Sequence, residues 1–379
     1  MSDRPFPRLS VMVSEMVRGR FGWTVAVPVV AVVALVLTWG RSPGDLVLLV
    51  VAALLMGAVL AAVHHAEVVA HRVGEPFGSL VLAVAVTVIE VALIVTLMVS
   101  GGEGTAGLAR DTVFAAVMIT VNGIVGLSLV VAALRDQFAV FNPEGTGSAL
   151  ATVITLATLT LVLPRFTTSA SGPEFTSGQL AYAAVASLGV YLMFVFTQTV
   201  RHRDFFLPVE DGGTAPDEDE DGHADPPGGR EALTSLALLL VSLVAVVGLA
   251  KVESKPIETA VDAAGLPHAV VGVIIALLVL LPESIAAVRA AMRRRTQIAL
   301  NLAYGSAMAS IGLTIPTIAI ASIWLDGPLA LGLGSTEMVL LFLSVVVGVL
   351  TVVPGRAKPL AGGLHLAIFA SFLVLTVSP

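Results

Sequence analysis

Two acidic residues stand alone in apolar surroundings. In "AVAVTVIEVALIVTLM", Ala83 to Met98, Glu90 is the only Asp, Glu, Lys or Arg between Glu75 and Glu103. In "VVGVIIALLVLLPESIAAVRAAM", Val270 to Met292, Glu283 is the first such residue after Asp262. A carboxyl group in the middle of an apolar helix is expensive to keep in a membrane. It either bonds a neighbouring helix or marks a path for ions and protons. Two such acids brought together suit a hard cation held by oxygen. Calcium takes about six to eight oxygen ligands, whereas magnesium sheds its water reluctantly and fits less well. The same pair explains proton coupling. Two adjacent buried carboxylates cannot both stay ionised without a counter-charge, so protons replace the cation when it leaves, and the two titrate as a pair.

The residues around the acids supply polar partners. Thr87 lies one turn before Glu90 and shares its face. Pro282 weakens the helix at Glu283, which frees carbonyls upstream. The stretch after the first acid, "DTVFAAVMITVNGIVGLSL", carries Thr120, Asn122, Gly123 and Gly126. After the second, "QIALNLAYGSAMASIGLTIP" carries one stripe of Asn301, Gly305 and Ala309 and another of Ser306, Ser310 and Thr314. Small residues allow close helix packing, and amides and hydroxyls either line a site or bond helix to helix. Thr87, Asn122, Asn301, Ser306 and Ser310 are therefore the expected supports of the pathway. Glu75, in "GEPFG", either favours a helix start or guides ions inward. His64, His65 and His71 either relay protons, since histidine titrates near neutrality, or are merely solvated.

The elements that must position these residues are membrane helices. Of 379 residues, 56% are hydrophobic and 12% charged, about half the charged share of a soluble domain. Apolar runs of helical length recur throughout, without the short alternating strands of an outer-membrane barrel. We place eleven spans at 23–39, 46–64, 77–99, 112–134, 148–164, 179–200, 231–250, 266–288, 297–323, 334–353 and 359–377. The first run is too long for a signal-peptide core and is expected to be a retained span. With the N-terminus in the cytoplasm, the cytoplasmic side carries 15 of the 20 Lys and Arg residues and the outside 5, the bias expected of cytoplasmic loops. The C-terminus is then external.

Nine acidic residues fall between Asp204 and Asp225, in a Gly- and Pro-rich loop after span six. That loop is expected to be a flexible cytoplasmic tether or a collector of cations. It divides the chain into 1–40 with the extra first helix, a five-helix repeat at 41–203, the loop at 204–230 and a second five-helix repeat at 231–379. An odd number of spans per half makes the halves antiparallel. Glu90 and Glu283 each fall on the second helix of their half, the inverted repeat of many secondary transporters. The expected fold is an all-α polytopic membrane protein with eleven transmembrane helices.

Other chemistry is poorly represented. There is no cysteine, so thiolate ligands and disulfides are excluded. No P-loop, HExxH or nucleophile elbow is present, so the chain is not expected to be an enzyme or to need a cofactor. No patch suits nucleic acid. The expected partners are the lipid bilayer and the transported cations.

At "GEPFGSLVLAVAVTVIEVALI" (74–94), "LLPESIAAVRAA" (280–291) and "QIALNLAYGSAMASIGLTIP" (297–316), the sequence resembles bacterial calcium/proton antiporters of the cation/calcium exchanger superfamily. The resemblance covers the chain after its first helix, and the acidic loop fits it. It implies one extra helix plus two inverted five-helix repeats, with Glu90 and Glu283 as the cation-binding acids. Asn122 and Ser310 would be the matching polar residues on the helices that follow. Relatives show "GNxxE" around each acid, where this chain has "TVIE" and "LLPE". The implied activity is export of Ca2+ for H+ by alternating access across a bacterial inner (plasma) membrane. A Na+ or K+/H+ antiporter using the same acids is the alternative, and a passive cation channel a third reading.

Overall fold

The computed structural model describes residues 22–41, 43–74, 77–100, 105–208, 227–324 and 328–379. Glu75, Arg4, Arg8, Arg18, Arg20 and most of the acidic loop (209–226) lie outside the described residues.

Eleven helices are present among the described residues: α1 (Trp23–Thr38), α2 (Asp45–Val73), α3 (Phe77–Ser100), α4 (Leu108–Asp136), α5 (Pro143–Arg165), α6 (Ser177–Arg201), α7 (Gly229–Ala263), α8 (Ala269–Met292), α9 (Thr296–Ala321), α10 (Ser335–Val352) and α11 (Pro359–Val377). Nine are long and apolar enough to cross a bilayer; α1 and the described core of α3, Val84–Thr96, are shorter apolar helices. The fold is an all-α polytopic membrane architecture, with one extra helix and two inverted five-helix repeats. Helices dominate because a chain in lipid must satisfy its own backbone hydrogen bonds.

Local sequence sets several ends. Asn142 caps α5 by accepting the amides of Glu144 and Gly145 at 2.9 and 3.1 Å, with Pro143 following it. Thr176 and Gln179 form a reciprocal capping box at α6. Apolarity misplaces other ends. Helix α2 continues to Val73 and α7 to Ala263, past the expected 64 and 250. Polar side chains can extend a helix beyond its lipid-facing part, so hydropathy alone does not see the stop. Gly74 (φ +76°) follows α2 directly, and Gly265 (φ +67°) lies two residues beyond Ala263. Glycine enters that left-handed region without steric cost.

The packing repeats with the halves. Helix α2 lies along α7, α3 packs on α9 as α8 packs on α4, and α6 packs on α9 as α11 packs on α4. One buried cluster joins α1, α2, α3, α7 and the first half of α8, and a second joins α4, α5, α6 and α8 through α11. The connections at one end are tied together. Strands β1 (Ala139–Val140) and β2 (Arg356–Ala357) pair antiparallel, and Arg294 bridges Asp136 at 3.1 Å. Arg135 donates to the Met292 carbonyl at this same arginine-rich end. At the other end, Ala330 and Gly332 donate to the carbonyls of Ala106 and Pro173.

Helices α4 and α11 cross closely because both carry glycine there. A Cβ at Gly126 would lie 2.9 Å from His365 Cβ, and one at Gly362 would lie 2.6 Å from the Gly126 carbonyl oxygen. Gly362→Val is therefore expected to lower stability by about 1–3 kcal/mol, the cost of overpacking. Thermal unfolding in detergent measures this. Gly305→Ala, where an added Cβ meets nothing within 4 Å, serves as the control and is expected to unfold as the parent does.

Candidate cation site

Helix α3 carries Glu90 on the same face as Thr87 and Val86. Glu90 is only 3% exposed, and its Oε1 accepts a hydrogen bond from Ser310 Oγ at 2.5 Å. Ser310 belongs to α9, in the opposite repeat, so one acid is held by a hydroxyl from the other half of the chain. Helix α8 brings Glu283 to the same space and runs on through Pro282. Proline has no amide to give the carbonyl four residues back, and Ser284 nearby donates to the Leu280 carbonyl at 2.7 Å. Glu283 Oε2 is buried and, among the described residues, has no hydrogen-bond partner. Glu283 lies within electrostatic range of Glu90.

Both acids face a cavity of about 220 Å³. It runs from the acids along α9, past Ser306, Gly305 and Asn301, to Gln198 and Thr199 near the arginine-rich end of α6. Apolar residues of α6 and α9 line much of the rest, including Phe194, Val195, Leu302 and Met308. The polar groups cluster at one end and along one stripe of this mostly apolar lining.

The expected supports separate into groups. Thr87, Asn301, Ser306 and Ser310 line the cavity. Asn301 also has a structural duty at the mouth: its amide donates to the Phe206 carbonyl at 2.7 Å and its oxygen accepts from Gln297 at 2.9 Å. Gln297 Oε1 accepts in turn from the Asn142 backbone N–H at 2.7 Å. Asn122 is buried but does not line the cavity; its amide faces α10 and α11. Among the histidines, His65 is buried, with Nε2 2.9 Å from the Thr24 carbonyl oxygen of α1, whereas His64 and His71 are exposed. His71 acts electrostatically on Glu67, and Glu67 on Glu283.

Several residues near the site carry sequence signals that span-counting passes over. Tyr191, Phe194, Val195, Gln198 and Thr199 follow the i, i+3, i+4, i+7, i+8 spacing of one helical face of α6, ending in polar groups. Glu67 belongs to an internal match. "AEVVAHRVGEP" (66–76) and "IETAVDAAGLP" (257–267) both place Glu seven residues before Gly, with Pro two residues further on. These stretches end the first helix of each repeat, so aligning the halves by their turns rather than by their acids finds Glu67 and Glu258.

The chain matches the family described as sodium/calcium exchanger protein over residues 44–200 and 234–378. The gap between the matched segments coincides with the acidic loop. It is 34% identical to the sodium-potassium/proton antiporter ChaA of Escherichia coli (strain K12), over 92% of this chain and 94% of that protein. It is 49% identical to the putative ionic transporter y4hA of Sinorhizobium fredii, over 88% of this chain and 89% of that protein. Native YfkE shares the fold with a TM-score of 0.67 at 16% identity, over 94% of this chain and 98% of that one. The H+/Ca2+ exchanger CAX does so with a TM-score of 0.64 at 13% identity, over 93% and 86%. With a family match across both repeats and a relative of this similarity along nearly its whole length, the chain belongs to the sodium/calcium exchanger protein family.

Proposed function

We propose that this chain is a secondary cation/proton antiporter that exports cytosolic Ca2+ in exchange for H+ by alternating access. The observation that carries this reading is the meeting of Glu90 and Glu283, one from each inverted repeat, in a single cavity. Two carboxylates balance a divalent cation, and the hydroxyls of Thr87, Ser306 and Ser310 add oxygen ligands. When the cation departs, the acids cannot remain jointly ionised in so dry a place, and protons return in its stead. Each state that crosses the membrane is thus electrically compensated, which couples the two flows. Supporting this reading, CAX is named for H+/Ca2+ exchange.

The second reading is Na+ or K+ in place of Ca2+, favoured by the name of ChaA at 34% identity. One monovalent ion leaves one of two carboxylates to hold a proton, so the same pair serves either cargo. The arginine-rich end is cytoplasmic by the charge bias of membrane loops. On that reading the cavity faces the cytoplasm, the protein sits in a bacterial inner (plasma) membrane, and the C-terminus is external.

Everted vesicles with a preformed proton gradient test the cargo: added Ca2+ is expected to dissipate the gradient, and dissipation by Na+ or K+ alone would overturn the calcium reading. Glu90→Gln and Glu283→Gln are each expected to abolish exchange. Leaving half of a buried charge set uncompensated costs about 3–5 kcal/mol, more than roughly a hundredfold in affinity. Normal flux in either variant would rule out the two-acid site. Because protons compete with the cation, acidifying the cavity side is expected to raise the half-saturating Ca2+ concentration. If each carboxylate takes up a proton, the rise approaches about a hundredfold per pH unit; initial rates at several pH values measure it.

A further inference from the structure

The two repeats treat their matching polar residues differently. Ser310 and Asn122 both lie fourteen residues into the helix that follows an acid, as counted from Thr296 and Leu108. Ser310 reaches across to the acid of the opposite repeat, Glu90. The symmetric act for Asn122 would be to reach Glu283. Instead the Asn122 side chain points the other way, and Glu283 Oε2 is left buried without a partner among the described residues.

Local structure and a buried histidine account for the difference. Around Ser310, α9 is regular α-helix. Around Asn122, α4 opens into a π-turn, Ile119–Ile124. One extra residue in a turn re-aims the side chains within it, and such turns are common at functional sites. The re-aimed amide donates to Ser344 Oγ of α10 at 2.8 Å, and its oxygen lies 3.2 Å from Nδ1 of His365 on α11. His365 Nε2 lies 3.2 Å from Thr351 Oγ1. Asn122, Ser344 and His365 are each at most 1% exposed.

The bond directions are set by chemistry. Asn122 Oδ1 only accepts, so His365 Nδ1 carries the proton, and Nε2 then accepts from the Thr351 hydroxyl. Ser344 accepts from Asn122 and donates to the Leu340 carbonyl at 2.7 Å. The network is satisfied with His365 neutral, and it requires Asn122 to stay where it is. The π-turn packs against α8, the helix of Glu283.

We propose that His365 is a positioning residue for exchange: it holds the Asn122 amide on α10 and α11 while the cavity is open to the arginine-rich end. In the opposite-facing state the amide is released and bonds Glu283, as Ser310 bonds Glu90 here. The exchange of partners would then run Ser310–Glu90 in one state and Asn122–Glu283 in the other, with His365 as the latch on the second. This rests on the two-acid reading of the site.

The absence of cysteine provides a clean test. Gly305→Cys places a thiol where a side chain has room in the cavity. A membrane-impermeant thiol reagent applied from the arginine-rich side reports how often the cavity is open. His365→Leu, which fills the space without the bond, is expected to slow labelling about fivefold, the population shift from losing one hydrogen bond. His365→Asn, whose amide can stand near Nδ1, is expected to restore most of the rate. In an Asn122→Ala background, His365→Leu should have no further effect. Should His365→Leu not fold, His365→Gln replaces it, since its amide reaches the Nε2 position instead. Unchanged labelling in the bond-losing variant, equal slowing in the Asn122→Ala background, or His365→Asn behaving as His365→Leu would each overturn the proposal. Exchange lost in Glu90→Gln and Glu283→Gln alongside any of those outcomes refutes the latch alone. Exchange retained in the two Gln variants refutes the site itself.

Discussion

A carboxyl group in the middle of a bilayer has two tolerable states: protonated, or beside a cation. That constraint organises this protein. Water solvates ions far better than lipid does, so an uncompensated carboxylate at this depth is the least stable arrangement available. Helices α3 and α8 each bring one acid to a shared cavity, and α9 supplies Ser310 to hold one of them. Much of the remaining lining is apolar. The dry wall matters as much as the acids, because it denies them the alternative of simple hydration.

The inverted repeat turns that local constraint into a device with two faces. Packing is matched across the halves: α2 with α7, α3 on α9 against α8 on α4, α6 on α9 against α11 on α4. The cavities are matched in place but not in size. The larger follows α9 and α6 toward the arginine-rich end, and the corresponding region at the start of α4 and the end of α11 holds a smaller cavity of about 90 Å³ lined by Asp111, Phe114 and Phe372, while Gly126, Gly362 and His365 close the other half of the α4–α11 crossing. Glycine at the closed crossing lets the helices approach far enough for van der Waals packing and the polar network to hold them together.

Buried polar groups divide along the same line. On the open side they face the cavity or tie down its mouth, as Asn301 does through Phe206 and Gln297. Between α4, α10 and α11, Asn122, Ser344, His365 and Thr351 satisfy one another. Such networks specify one arrangement strongly, because breaking any bond strands a polar group away from water.

Much of this was legible in the chain. Apolar runs near twenty residues place eleven helices, since each must span about the same thickness of lipid. The solitary acids stand out because charge in lipid is costly, and both line one cavity. What one-dimensional patterns do not carry is aim. Asn122 and Ser310 look equivalent along the sequence, yet a single π-turn sends one to the acid-free side. His365 lies in a helix whose other residues are mostly apolar, and only the crossing of α4 and α11 gives it partners. Glu67 lies on α2, which contacts α8, a neighbourhood that hydropathy does not encode. The sequence by itself determined the helices, their antiparallel halves and the two acids, because lipid imposes length, apolarity and a charge penalty on every segment separately. The tertiary structure alone decided which polar groups meet which acid and along which helices the cavity runs, because those depend on helix rotation and close packing between segments far apart in the chain.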